Sequence, residues 1–297
     1  MTDDAMKGKI IKGIAGFYYV HDGHGRVYEC KAKGIFRKQG IKPLVGDDVS
    51  FAVIREDVPQ GNIEEILPRR SCLLRPAIAN ADQAVILIAA TNPEPSLNLL
   101  DRFFVRMEWQ QLPAILCINK IDLDRENRRS EYEQIYRRAG YPVLHVSAAD
   151  GQGLEPLRDR LRGKTTVLAG ASGVGKSSLL NALLSGDIME TGELSRKLGR
   201  GRHTTRHSEM FFLEDDTFVL DTPGFTSLEL PAIDEKQLGD YYPEFVKLRH
   251  DCRFPDCIHV GERDCAVKRA ALQETTLRKR HETYLQLYND VKSRKKY

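Results

Sequence analysis

Over residues 1–70 apolar and polar positions alternate in short runs: Lys9 to Ile14, Phe17 to His21, Arg26 to Ala32, Val49 to Ile54 and Asn62 to Ile66. Glycines at 16, 23, 25, 34, 40, 46 and 61 separate them. Period-two runs this short, closed by glycine turns, predict a small β-barrel, with an OB-fold as the expected topology. From residue 71 the pattern changes. Continuous apolar runs at Ala84–Ala90, Ala114–Ile118, Val143–Val146, Thr165–Ala169, Met210–Leu213 and Thr217–Leu220 predict strands. Helix-like stretches lie between them near Leu97–Gln110, Arg128–Ala139, Leu154–Leu161 and Lys176–Leu184. That alternation predicts a mostly parallel sheet covered by helices. The remainder holds a cysteine cluster and a charged helical tail. The expected architecture is multidomain: a barrel over 1–70, an α/β domain over 71–228 and a mainly helical domain over 229–297.

Composition narrows the classes. The 297 residues are 41% hydrophobic and 29% charged, enough apolar material for more than one core. A net charge of only +3 excludes a polybasic, histone-like chain, though not local basic faces. One such face is expected on the loop Lys31–Lys42, where Lys31, Lys33, Arg37, Lys38 and Lys42 surround Phe36. Basic groups around an aromatic suit an RNA backbone with a stacked base; the alternative is a solvated barrel rim. The basic residues near the C-terminus, such as Arg278, Lys279 and Arg280 and the last five positions, either touch RNA or only solvate a helix. No apolar run approaches the ~20 residues of a membrane span, and MTDDAMKGK has no apolar signal core, so a cytoplasmic protein without membrane contact is expected. With no long heptad repeat, a monomer is expected.

Three motifs carry chemistry. Gly170-Ala171-Ser172-Gly173-Val174-Gly175-Lys176-Ser177 matches GxxxxGK[ST] in full, between the strand TTVLA and a helix continuing from Ser178. Glycines allow the backbone to turn its N–H groups toward phosphate oxygens, and the following helix adds its positive end. Lys176 reaches the β and γ phosphates, and Ser177 offers a hydroxyl to Mg²⁺. Asn119-Lys120-Ile121-Asp122 follows the strand 114–118. The Asp122 carboxylate matches the N1–H and 2-amino group of guanine, whereas adenine would oppose it with a lone pair. Asn119 serves the N7/O6 edge or braces the phosphate loop, and the Lys120 stem lies along the ring. Ser147-Ala148 fits the loop whose backbone N–H meets guanine O6. Asp221-Thr222-Pro223-Gly224 places Asp221 near Mg²⁺ through water and Gly224 near the γ-phosphate. In the basic loop Arg196–His207, Thr205 is the first choice for completing the Mg²⁺ shell and Thr204 the alternative.

The order of these motifs is rotated. A conventional G domain runs phosphate loop, Thr loop, DxxG, NKxD, SA; here NKxD and SA come first. The expected central domain is thus a circularly permuted P-loop G domain that binds GTP and GDP. Its DxxG loop then leads directly into the C-terminal zone, so γ-phosphate sensing is expected to pull on that zone. That zone contains Cys252, Cys257, His259 and Cys265, three thiolates and an imidazole suited to one tetrahedral, structural Zn²⁺. His250 lies nearby but outside the pattern.

Together these stretches resemble the bacterial ribosome small-subunit-dependent GTPase A family. The likeness runs through KGIFRK, LVGD, NADQAVIL, LLDRFFV, NKID, GASGVGKSSLLN, LGRGRHTTRH, DTPGF and the cysteine cluster, nearly the whole chain. It implies an OB barrel, a permuted G domain, a zinc domain ligated at those four positions, and binding to the small ribosomal subunit and its rRNA. It also implies a late role in subunit maturation, with GTP hydrolysis stimulated by the subunit as a release or checkpoint switch. The alternative is an RNA-binding GTPase acting on another RNA or protein. Phe225 stands where Ras-like enzymes carry the water-orienting Gln, and a phenyl ring makes no such hydrogen bond. His203, in the basic loop, is the candidate for placing that water.

Overall fold

A computed structural model describes residues 5–38, 40–55, 58–74, 77–185, 209–221 and 230–294. Five strands close the expected barrel: β1 (Met6–Ile14), β2 (Phe17–His21), β3 (Val27–Ala32), β4 (Asp48–Arg55) and β5 (Gln60–Ile66), in the order β1-β2-β3-β5-β4. The β3–β5 pair is parallel and the other four pairs are antiparallel, the mixed closure of an OB-type barrel. Alternate residues point inward, so Ile10, Val20, Tyr28, Cys30, Val49, Phe51 and Ile63 form the core. Asp47, fully buried, is held by two bonds from Arg69 (2.7 and 2.8 Å) and one from the Leu44 N–H (2.7 Å).

One expectation fails here. Phe36 lies on a five-residue helix, α1 (Gly34–Lys38), and is 7% exposed within the barrel core. It has no face free for a base. The aromatic–cation pair forms instead across β2 and β3, where the Lys31 ammonium sits 5.3 Å from the Phe17 ring centre. In that antiparallel pair Phe17 and Lys31 are direct register partners, so their side chains share a face.

After a short hairpin, β6 (Cys72–Leu74) and β7 (Ala77–Ala79), comes the α/β region. Its strands are β8 (Gln83–Ala89), β9 (Ala114–Asn119), β10 (Val143–His145), β11 (Thr165–Ala169), β12 (Glu209–Phe212) and β13 (Phe218–Asp221). The sheet order is β10-β9-β8-β11-β13-β12. Pairs β10–β9, β8–β9 and β11–β13 are parallel, and β12 closes the edge antiparallel to β13. Every residue of β8, β9 and β11 is buried, which explains their uninterrupted apolar runs. The accompanying helices are α2 (Leu97–Trp109), α3 (Arg129–Ala139), α4 (Leu154–Leu161) and α5 (Lys176–Ser185). Then follow α6 (Pro243–Leu248), α7 (Ala266–Gln273) and the long α8 (Thr275–Arg294).

The chain forms two compact units. One contains the barrel with Arg158–Leu168 and the β12–β13 hairpin. Within it, Lys12 bonds Glu209 at 2.8 Å, and His21 stacks on Phe212 with ring centres 4.2 Å apart. The other contains Ala84–Leu157, Ala169–Leu179 and the C-terminal segment. There α8 packs along α2 and α3. At the centre of that packing, Arg280 bonds Asp101 of α2 and donates Nε to Glu244 of α6 at 2.6 Å. Asp101 also accepts from Thr283 and, at 2.7 Å, from Tyr136 of α3. Arg280 is therefore neither an RNA contact nor a solvated group: it is 2% exposed.

Candidate functional site

The phosphate loop leaves β11 at Ala169 and enters α5 at Lys176. Two glycines are required by close approach as well as by conformation. A Cβ on Gly170 would lie 2.4 Å from the Leu87 carbonyl oxygen, and one on Gly175 (φ +95°) would lie 2.4 Å from Asn119 Nδ2. Lys176 Nζ lies inside the loop, donating to the carbonyls of Gly170 (2.7 Å) and Ala171 (2.8 Å). Val174 is buried beneath the turn, while Ser172, Gly173, Ser177 and Ser178 face outward.

The structure brings the NKxD and SA segments onto this loop, and Asn119 is the joint. Its side chain is 1% exposed; Nδ2 donates to Val174 O at 3.0 Å and Oδ1 accepts from Ala148 N–H at 3.1 Å. Of the two roles expected for Asn119, the geometry shows the brace. Lys120 adopts a left-handed backbone (φ +61°) and donates Nζ to Gly173 O at 2.8 Å and to Asn92 O. Ile121 opens a 3₁₀ turn, Ile121–Leu123, that presents Asp122 outward. Buried Ser147 donates Oγ to Asp122 Oδ1 at 2.7 Å, fixing that carboxylate. Asp221 ends β13 in register with Leu168, two residues ahead of the phosphate loop. Gly224, Thr204, Thr205, His203 and Phe225 lie outside the described residues.

Two groups in this region were not singled out in the sequence. Asp124 accepts from the N–H of Arg128 (2.8 Å) and of Arg129 (3.0 Å), tying the Ile121–Leu123 turn to the start of α3. An Asp shortly before a predicted helix was the available cue. The second is the loop after β8, where the Asn92 carbonyl receives Lys120 and Pro93 borders Gly173. No local pattern marks it.

The four expected metal ligands converge. The Cys252, Cys257 and Cys265 thiols and the His259 imidazole place their donor atoms within 4.8 Å of one another. His259 Nδ1 is 3.8 Å from Cys252 Sγ and 3.4 Å from Cys265 Sγ. Zinc bonds of about 2.3 Å to sulfur and about 2.0 Å to nitrogen put tetrahedral edges at roughly 3.5–3.8 Å, so the donor set fits Zn²⁺. Burial pushes the Cys257 thiol up to about 12 and His259 down to about 4. Both shifts measure the cost of charge in this site, which a bound dication would offset at the thiolates. No second Cys, His, Asp or Glu cluster of this kind occurs among the described residues.

A phosphate loop, an NKxD turn and an SA loop, set on strand ends of one sheet but strung along the chain in rotated order, define a circularly permuted GTPase. Two family models match: the RsgA GTPase over residues 66–231 and the RsgA N-terminal domain over residues 7–61. The chain belongs to the RsgA GTPase family, as the sequence resemblance implied, and hydrolyses GTP. The small ribosomal subunit biogenesis GTPase RsgA of Agathobacter rectalis is 47% identical over 302 residues, spanning 98% of this chain and 100% of that protein. The protein of the same name from Alkaliphilus metalliredigens is 47% identical over 291 residues, spanning 98% and 99%. Among solved structures, YloQ, described as a circularly permuted GTPase, superposes with a TM-score of 0.78 at 38% identity over 98% of this chain and 96% of that one. YjeQ from Thermotoga maritima gives 0.79 at 34% identity over 96% and 98%.

Proposed function

We propose that this GTPase acts on the small ribosomal subunit late in its maturation, with hydrolysis stimulated by the subunit and used as a release or checkpoint switch. The observation that carries the nucleotide half is the Asn119 joint. One buried side chain locks the phosphate loop to the SA loop, beside an Asp122 carboxylate oriented by Ser147. A guanine ring and its phosphates are then read by one rigid set of groups, which favours GTP over ATP. The RNA half is supported by the names of the full-length relatives and by the Phe17–Lys31 pair on the barrel.

In the reaction, water attacks the γ-phosphorus in line as the bond to the β–γ bridging oxygen breaks, giving GDP and phosphate. The loop N–H groups and Lys176 hold the phosphate oxygens and stabilise their developing charge. Ser177 and, through water, Asp221 would be the hard oxygen donors holding Mg²⁺, which would supply further charge neutralisation. Thr205, or Thr204 in its place, would complete that shell, Gly224 would meet the γ-phosphate, and His203 would position the water. Zn²⁺ held by Cys252, Cys257, His259 and Cys265 would be structural, because four protein ligands would leave no open position. The chain works as a cytoplasmic monomer; among the described residues no helix is long and apolar enough to cross a membrane.

Co-sedimentation with purified small subunits tests the partner. Binding should be stronger with a GTP analogue than with GDP and should fall steeply with salt, as RNA-backbone contacts do. Equal retention on naked duplex RNA would favour the alternative partner and overturn this reading. Subunit-stimulated kcat unchanged in His203→Ala would remove His203 from the mechanism.

A further inference from the structure

His259 is an unusual ligand in its backbone. It holds φ at +62°, a left-handed conformation uncommon outside glycine, although His enters it more readily than most residues do. The peptide groups on either side show what holds it there. Glu262 Oε1 accepts from the Ile258 N–H at 2.8 Å, and its other oxygen, Oε2, accepts from the Val260 N–H at 2.9 Å. The carbonyls between them are claimed from α8: Tyr284 Oη donates to Ile258 O, and His281 Nε2 lies 2.8 Å from His259 O.

We propose that Glu262 is a positioning residue of the metal centre, its carboxylate straddling His259 to hold the imidazole Nδ1 toward the three thiols. Glu262 is not itself a ligand. Both its oxygens are spent on amides, and it stands outside the Cys252, Cys257, His259, Cys265 donor set. Its reach matters: an amide side chain offers one acceptor oxygen, so Gln at 262 can serve one N–H and must turn its own NH₂ toward the other. Outer-shell groups of this kind change metal affinity by about 10–100-fold when removed. The inference rests on the zinc reading of the cluster, and the experiment separates the two.

Zinc affinity of the full-length protein is measured by competition with a chromophoric chelator, and Co²⁺ is loaded as a spectroscopic stand-in. Wild type should bind one Co²⁺ with tetrahedral d–d bands and thiolate charge-transfer bands. Glu262→Gln should weaken zinc by at least tenfold and move the d–d envelope as the imidazole loosens. In a His259→Ala background the same substitution should change zinc affinity less than twofold, because Glu262 acts through that imidazole. Equal weakening in both backgrounds, or an unshifted Co²⁺ spectrum in Glu262→Gln, overturns the proposal and leaves Glu262 with a merely structural role. Wild type that binds neither metal sinks the zinc reading itself, and this inference with it. If Glu262→Gln does not accumulate as folded protein, Tyr284→Phe removes one bond to the same turn. It should weaken zinc by roughly three- to tenfold; no change there counts against the positioning account.

Discussion

Replacing Arg280 by Ala is the sharpest test of how α8 is fastened. Arg280, Asp101 and Glu244 are 2%, 0% and 1% exposed, so solvent does not replace the lost guanidinium. The variant leaves two carboxylates in a dry interior shared by α2, α6 and α8. Breaking a buried ion pair from one side costs about 3–5 kcal/mol, and the second carboxylate argues for the upper end. At roughly 2–4 °C per kcal/mol for a chain of this size class, the thermal midpoint should fall by about 6–20 °C. The loss should also depend on pH with a definite sign. Burial raises the Asp101 carboxyl above its ordinary value, and Arg280 opposes that rise. Without Arg280 the carboxyl rises further. A raised carboxyl favours the folded state below the unfolded value and penalises it as pH climbs through the folded one, so the penalty grows toward neutrality and shrinks on acidification. Thermal unfolding followed by far-UV circular dichroism at pH 7.5 and pH 5 measures both. Adding Asp101→Asn to Arg280→Ala should recover part of the loss by removing a buried charge. A drop under about 3 °C at pH 7.5, or a gap that widens at pH 5, would refute the reasoning.

Asp122→Asn should exchange preference from GTP to xanthosine triphosphate, whose 2-oxo group accepts an amide N–H; unchanged kcat/KM for GTP would show that Asp122 does not read the base. Gly175→Ala forces a Cβ to 2.4 Å from Asn119 Nδ2 at a positive φ, and calorimetric titration should show GTP binding weakened at least tenfold. Chelating zinc should raise hydrogen exchange first in residues 252–273 while the barrel amides of 6–66 keep their protection. Phe17→Ala should raise the subunit concentration needed for half-maximal stimulation without changing unstimulated turnover; equal half-maximal concentrations would take the Phe17–Lys31 face out of subunit binding.

Much of the site was legible before any coordinates. The NKxD, SA and phosphate-loop residues lie on strand ends as their spacing predicts, because each motif is a local backbone turn attached to a local apolar run. The convergent Cys/His cluster was legible for a different reason: only a few side-chain types bind Zn²⁺, and four of them fall within fourteen residues. Phe36 was misplaced because a five-residue helix is too short to show a buried face by periodicity. The contact of Lys120 with the Asn92 carbonyl was not legible, because it depends on a loop 28 positions away.

Period, turn residues and donor chemistry are short-range properties, and from them the amino-acid order alone determined the barrel, the buried parallel strands, the rotated GTPase motifs and the Cys/His set that fits zinc. Tertiary structure alone decided which distant groups meet. Asp101 and Arg280 are 179 positions apart, Phe17 faces Lys31 only through strand register, and Glu262 clasps amides only once its turn has closed. Those pairings are set by packing, where a side chain's partner depends on how whole helices and strands come together and not on its neighbours along the chain.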